Sequence, residues 1–180
     1  IDIARILAKP PELLEETEIS RETLAQLYDS KIKTIHLIGR RGITQAAFTP
    51  QEFNELLSIP NCEFICDPKY LDLNTASREE LLSNNKAKRN LDVLKAFLPK
   101  ASHQTKKSII LHFQTQPISY TGKDTVQGVH YQETKLIGPA FNQKTQSKDI
   151  TGTIQSGLVL ESIGYKGQPL PGLPFDNKNN

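Results

Sequence analysis

The sequence predicts an α/β fold that carries an antiparallel β insertion. Three observations predict it. Helical apolar spacing alternates with short β-branched runs through the first half of the 180 residues. Strand-like segments crowd the second half. One apolar run, residues 32–38, passes directly into a glycine, as a strand does when it leaves a sheet.

Residues 1–8 place Ile3, Ile6 and Leu7 at helical spacing, and Pro10-Pro11 ends that helix. The acidic stretch 12–18 reads as a short excursion. Ser20 opens a second helix that reaches about Asp29 and carries Leu24 and Leu27 inward. The period then changes to the strand at 32–38, which ends in Gly39-Arg40-Arg41-Gly42.

Thr49-Pro50-Gln51-Glu52 is a helix start: Thr49 suits the N-cap, Pro50 the first turn, and Glu52 completes a capping box. That helix runs to about Ser58. Glu63 to Cys66 reads as a short strand. Ser77-Arg78-Glu79-Glu80 reads as a second capping box, opening a helix that breaks near Asn84-Asn85 and ends before Pro99. Residues 108–115 and 126–136 read as strands, with Gly128 marking a bulge. Gly138-Pro139 and residues 142–149 read as loop. The run 157–164 suits a buried parallel strand. Pro169, Pro171 and Pro174 make the tail extended.

Net charge is +2, too small to argue for nucleic-acid or membrane-surface binding. No apolar run is long enough to cross a bilayer. The chain opens in mid-helix pattern and contains no Met, so it reads as a piece of a longer protein, truncated at its N-terminus. Cys62 and Cys66 lack the spacing of paired zinc ligands and point to one strand face, as reduced core thiols do.

The arginine pair has the most chemical content. Ligands of open α/β sheets bind beyond the carboxyl ends of the strands. An acidic residue at the second strand of a dinucleotide domain meets the ribose 2′-hydroxyl of NAD, whereas arginine there meets the 2′-phosphate of NADP. Guanidinium offers a planar fork of donors that matches a phosphate. No carboxylate lies in the strand or between Arg41 and Glu52 to claim either arginine as a local ion pair. The competing reading is a solvated surface pair. Spacing implies that the helix between Pro10 and Asp29 is an insertion.

Several segments, in order along the chain, carry a family resemblance: Asp2-Ile3-Ala4-Arg5-Ile6-Leu7, Pro10-Pro11-Glu12-Leu13-Leu14, Gly39-Arg40-Arg41-Gly42 with Gln45-Ala46-Ala47-Phe48-Thr49, and Ser162-Ile163-Gly164-Tyr165-Lys166. The sequence resembles the NADP-binding domain of adrenodoxin-reductase-type ferredoxin–NADP reductases. The resemblance is thinnest at residues 101–107 and 138–150. It implies a Rossmann-like NADP-binding domain with a mixed sheet over residues 1–166, and an extended linker at 167–180 returning toward an FAD domain. It implies that hydride passes from NADPH to FAD, and single electrons then pass to a ferredoxin-like iron–sulfur protein. It assigns Arg40 and Arg41 to the 2′-phosphate and Glu52 to the bound nucleotide. For Glu52 the capping role stands beside the nucleotide role. No catalytic residue is assigned within the chain, because flavin and nicotinamide would carry the chemistry; without the flavin site the chain alone is expected to be inactive.

A basic cluster, Lys86, Lys88 and Arg89, is a candidate docking patch for the iron–sulfur partner; a solvated helix face is the alternative. His36 reads as a face-filling strand residue, and His103, His112 and His130 lack metal spacing. Asp67 before Pro68 reads as a turn residue. The ending Gly172-Leu173-Pro174-Phe175-Asp176 is similar to bacterial members, hence a bacterial cytoplasm or, alternatively, a mitochondrial matrix. Two further functions stay open: a related NADPH-dependent flavoprotein with another acceptor, and a non-enzymatic nucleotide-binding or interaction domain.

Overall fold

A computed structural model describes residues 1–98, 106–164 and 167–176. Pro99, His103, Tyr165-Lys166 and the last four residues, for which the sequence carried expectations, lie outside the described residues.

Five helices and six strands follow the chain among the described residues. They are α1 (Asp2–Ala8), α2 (Arg21–Tyr28), β1 (Thr34–Ile38), α3 (Pro50–Leu57), β2 (Cys62–Cys66), α4 (Thr75–Ser83), α5 (Asn85–Phe97), β3 (Lys107–His112), β4 (Thr115–Thr121), β5 (Gly128–Ile137) and β6 (Lys144–Gln155). Two sheets result. One is parallel, in the order β1-β3-β2; the other is an antiparallel meander, β4-β5-β6. Parallel and antiparallel pairing, both expected, are thus segregated into separate sheets.

The parallel sheet forms from short strands with apolar residues toward the core, joined by crossovers that contain helices. One face of it, with Ile35, Ile109, Leu111 and Cys66, packs against Ala4 and Ala8 of α1, Phe53, Leu56 and Leu57 of α3, and Leu91 and Leu94 of α5. The core stripe of α1 is therefore its alanines, whose small side chains let the helix approach the sheet. Ile3 and Ile6, at helical spacing in the sequence, are exposed. Leu24 and Leu27 are only half-buried, and α2 buries no residue. It is tied instead to the short turn before it, where the Tyr28 hydroxyl donates to Glu15.

Both cysteines are free thiols on the core face of β2. Burial, reinforced by the Asp67 charge, pushes the Cys66 thiol up to about 12, so it is an inert core group.

Several boundaries differ from expectation. The helix at Ser77 starts earlier: Asn74 is the N-cap, and its Oδ1 accepts the Ser77 N–H at 2.7 Å. Asparagine caps as well as serine does, and Thr75 and Ala76 extend the helix back to it. The break at Asn84 is present; its side chain accepts from Ala87 N–H and caps α5. Gly128 opens β5 and is not a bulge. The register shifts lie between Pro117 and Ser119 and between Gln132 and Thr134. Residues 144–149, expected as loop, belong to β6, whose backbone pairs with β5 although its side chains are polar. Gly152 sits opposite Tyr131, where an added Cβ would lie 2.5 Å from the phenol oxygen, so a larger residue there would force the Tyr131 ring to move.

Residues 157–164 form no strand, and Leu158, Leu160 and Ile163 are exposed. An apolar run becomes a strand only beside a hydrogen-bonded neighbour, and no described segment pairs with this one.

On the other face of the parallel sheet, His36 Nδ1 and His112 Nε2 lie 2.9 Å apart with their rings stacked. Burial lowers both imidazoles from their ordinary value; His36 and Lys69 lower His112 further. Unfolded histidine titrates near ~6.5. Above that pH both rings are neutral in either state, and stability is complete. As pH falls below it, the unfolded chain takes up protons that the folded pair refuses, so stability is lost down to the folded values. The melting temperature is expected to fall between pH 7.5 and pH 5.5, and to fall less in the His36→Gln/His112→Gln variant. Equal falls in the two proteins would contradict this.

Candidate functional site

The carboxyl end of β1 delivers Gly39-Arg40-Arg41-Gly42 to the sheet edge. The main chain of this turn is bound inward. Gly39 N–H donates to His112 O at 2.8 Å, and Gly39 O accepts from Thr115 N–H at 3.1 Å. Arg41 O accepts from Gln114 N–H at 3.0 Å. Arg40 O accepts from Thr134 Oγ1 at 2.8 Å. Gly42 N–H donates to Gln45 Oε1 at 3.1 Å. The bulge in β5 aims Thr134 at this turn and Glu133 at Lys69.

With the backbone committed, the side chains of Arg40 and Arg41 are exposed. Among the described residues neither makes an ion pair. Two arginines adjacent in the chain and without a carboxylate partner among the described residues can bind an anion, and their planar forks match phosphate oxygens.

Glu52 stands at the start of α3. Its Oε2 accepts the Thr49 N–H at 2.7 Å, and Thr49 Oγ1 accepts the Glu52 N–H at 3.2 Å. The Thr49 backbone bond holds the Glu52 carboxyl below the usual carboxylate range. The capping box is therefore formed. Among the described residues no hydrogen bond joins Glu52 to either arginine. Replacing Thr49 by alanine is expected to cost about 1 kcal/mol in a denaturant titration; no change in midpoint would mean that the cap carries no stability.

Asp67 caps a short 3-10 turn, accepting from Lys69 N–H at 2.9 Å, as its place before Pro68 implied. Lys69 then reaches Glu133 at 3.1 Å, tying the turn after β2 to β5, and Lys148 of β6 meets the same carboxylate at 3.4 Å. Beside them a cleft of about 380 Å³, lined by His112, Tyr70, Thr115 and Tyr131, opens at the carboxyl ends of β2 and β3.

Lys86, Lys88 and Arg89 are exposed on α5. Lys86 is partly committed, donating to Ala47 O at 3.1 Å. His36 is half-buried in the sheet, and His130 bonds Thr153 Oγ1 at 2.7 Å. The roles of two supporting residues are not legible in the sequence: Gln45, whose amide holds Gly42, and Glu80, which holds Gln45 at 2.6 Å. The local pattern around Glu80 signals a helix cap, and its partners lie far away in sequence.

A parallel α/β layer with a cationic turn at its carboxyl edge, joined to an antiparallel meander, defines a Rossmann-like fold with a β insertion. The proteins this chain is similar to are named as NADPH-dependent reductases. The chain is homologous to NADPH-ferredoxin reductase FprA of Mycobacterium tuberculosis, 31% identical over 182 residues, 99% of this chain and 39% of the relative. It is homologous to the mitochondrial NADPH:adrenodoxin oxidoreductases of Arabidopsis thaliana, 35% identical over 191 residues, and of Homo sapiens, 34% over 189 residues. These cover 99% of this chain and 39% and 38% of the relatives. A solved structure of Mycobacterium tuberculosis FprA in complex with NADPH superposes with a TM-score of 0.86 at 30% identity, over 98% of this chain and 39% of that one. No family model matches. The resemblance read from the sequence is borne out, and the chain spans well under half the length of these relatives. They include bacterial and mitochondrial enzymes. No helix of the described residues is long and apolar enough to cross a membrane.

Proposed function

We propose that this chain is the NADP-binding part of an FAD-dependent ferredoxin–NADP reductase, and that Arg40 and Arg41 hold the 2′-phosphate. The observation that carries it is the exposed arginine pair, without an ion pair among the described residues, on a turn whose backbone is bound inward. The homology to proteins named as NADPH-dependent reductases supports it.

Residues 1–166 would form the nucleotide-binding domain, and 167–180 the extended link toward the FAD domain. FAD, bound by the rest of the protein, would take hydride from NADPH and release single electrons to a ferredoxin-like iron–sulfur protein. The residues of this chain would bind and orient the nucleotide. Glu52 would meet it through Oε1, which makes no hydrogen bond among the described residues. The exposed Lys88 and Arg89, with Lys86, would favour approach of an acidic iron–sulfur partner, mainly by raising the association rate. The compartment would be a bacterial cytoplasm or a mitochondrial matrix.

The test is an assay of the complete protein with FAD, NADPH and a ferredoxin. Reduction of the ferredoxin is the expected result. Oxidation of NADPH by other acceptors but not by any iron–sulfur protein would favour a related flavoprotein. Absence of bound flavin and of NADPH oxidation would sink the reductase reading.

A further inference from the structure

We propose that Glu80 is a positioning residue for cofactor choice, fixing the arginine turn through the amide of Gln45. The proposal rests on the reading of Arg40 and Arg41 given above.

Glu80 lies on α4, far from β1 in sequence, and is only 4% exposed. A buried carboxylate needs a reason, because its desolvation is costly unless every oxygen is satisfied. Here only N–H donors face it. Oε2 accepts from Gln45 Nε2 at 2.6 Å. Oε1 accepts from Phe141 N–H and from Gln143 Nε2, both at 2.8 Å. No cation pairs with it among the described residues.

The Phe141 and Gln143 bonds anchor the hairpin between β5 and β6. The Gln45 bond has a different consequence. A carboxylate accepts and cannot donate, so it dictates that Gln45 turns its NH₂ toward Glu80. The amide oxygen must then face the other way, onto Gly42 N–H at 3.1 Å. Gly42 directly follows Arg41. A charged acceptor at one end also strengthens the bond at the other, because linked hydrogen bonds polarise one another. The direction of the turn that presents the arginines is thus set from α4.

Glutamine at position 80 has nearly the same shape but brings an NH₂. Keeping the hairpin bonds on its oxygen would aim that NH₂ at Gln45. Gln45 must then flip, and its own NH₂ would oppose the Gly42 N–H. Glu80→Gln therefore disturbs the turn while keeping volume. Gln45→Met removes the link and leaves the hairpin bonds of Glu80 in place.

The experiment is calorimetric titration of the complete protein with adenosine 2′,5′-bisphosphate and with adenosine 5′-monophosphate. The readout is the ratio of the two affinities, which a loss of overall stability does not by itself move. Both Glu80→Gln and Gln45→Met are expected to lower that ratio roughly tenfold, the effect of one misplaced charged hydrogen bond. They are expected to leave the monophosphate affinity nearly unchanged. If both folded variants keep the unmutated ratio while Arg40→Ala/Arg41→Ala loses it, the Glu80 proposal is overturned and the arginine reading stands. If the unmutated protein has no preference for the bisphosphate, both fall together.

Discussion

Replacing Arg40 and Arg41 together by alanine is expected to weaken binding of NADP by about a hundredfold or more, and to leave binding of NAD nearly unchanged. Each charged hydrogen bond contributes about 1.5–3 kcal/mol when well made. The turn is exposed, so solvent screening argues for the lower end of that range. Two such contributions still sum to about 3 kcal/mol, and each 1.4 kcal/mol is about tenfold in affinity. The folded state should be little affected, because neither guanidinium makes an ion pair among the described residues. Calorimetric titration with the two dinucleotides checks this. A parallel loss for NAD and NADP would mean that the pair serves the fold or a shared phosphate, not the 2′-phosphate.

Phe53→Ala is expected to be the most damaging single change to stability. Phe53 on α3 is fully buried. Its ring meets Phe48 at 4.8 Å and, edge-on, Phe64 of β2 at 5.9 Å. It thereby ties α3 both to the sheet and to the segment leading from the arginine turn. Removing a buried phenyl ring costs about 3–5 kcal/mol. That is a large share of the 5–15 kcal/mol that typically holds a domain together. A denaturant titration should show a far earlier midpoint, or no cooperative transition. A loss below about 1 kcal/mol would mean that the neighbouring rings collapse into the space.

The parts of this molecule that were legible in the sequence are those fixed by neighbours in the chain. The strand ending at the arginine turn, the Thr49–Glu52 box and the helix break at Asn84 are all settled within a few residues. The parts that were not legible depend on partners far away. The first part of β6, residues 144–149, reads as a polar loop because its strand character comes from backbone pairing with β5, which no side-chain pattern announces. Residues 157–164 read as a buried strand on apolar content, yet lack a described neighbour to pair with. Glu80 was legible only as a helix-start residue. Its role comes from Gln45, Phe141 and Gln143, brought to it by the fold.

The arginines were legible as chemistry because their neighbours in sequence offer no carboxylate. Their inward-bound backbone was not legible, since it depends on Gln114, Thr115 and Thr134 from the antiparallel sheet and the strand end before it. This explains why an insertion distant in sequence matters to the site: it holds the turn from below while the guanidinium groups stay outside.

The most direct measurement is the affinity of the unmutated complete protein for NADP against NAD under one buffer and salt concentration. Recognition of the 2′-phosphate by Arg40 and Arg41 predicts tighter binding of NADP by about a hundredfold or more. Equal affinity for the two dinucleotides, or a preference for NAD, would contradict it.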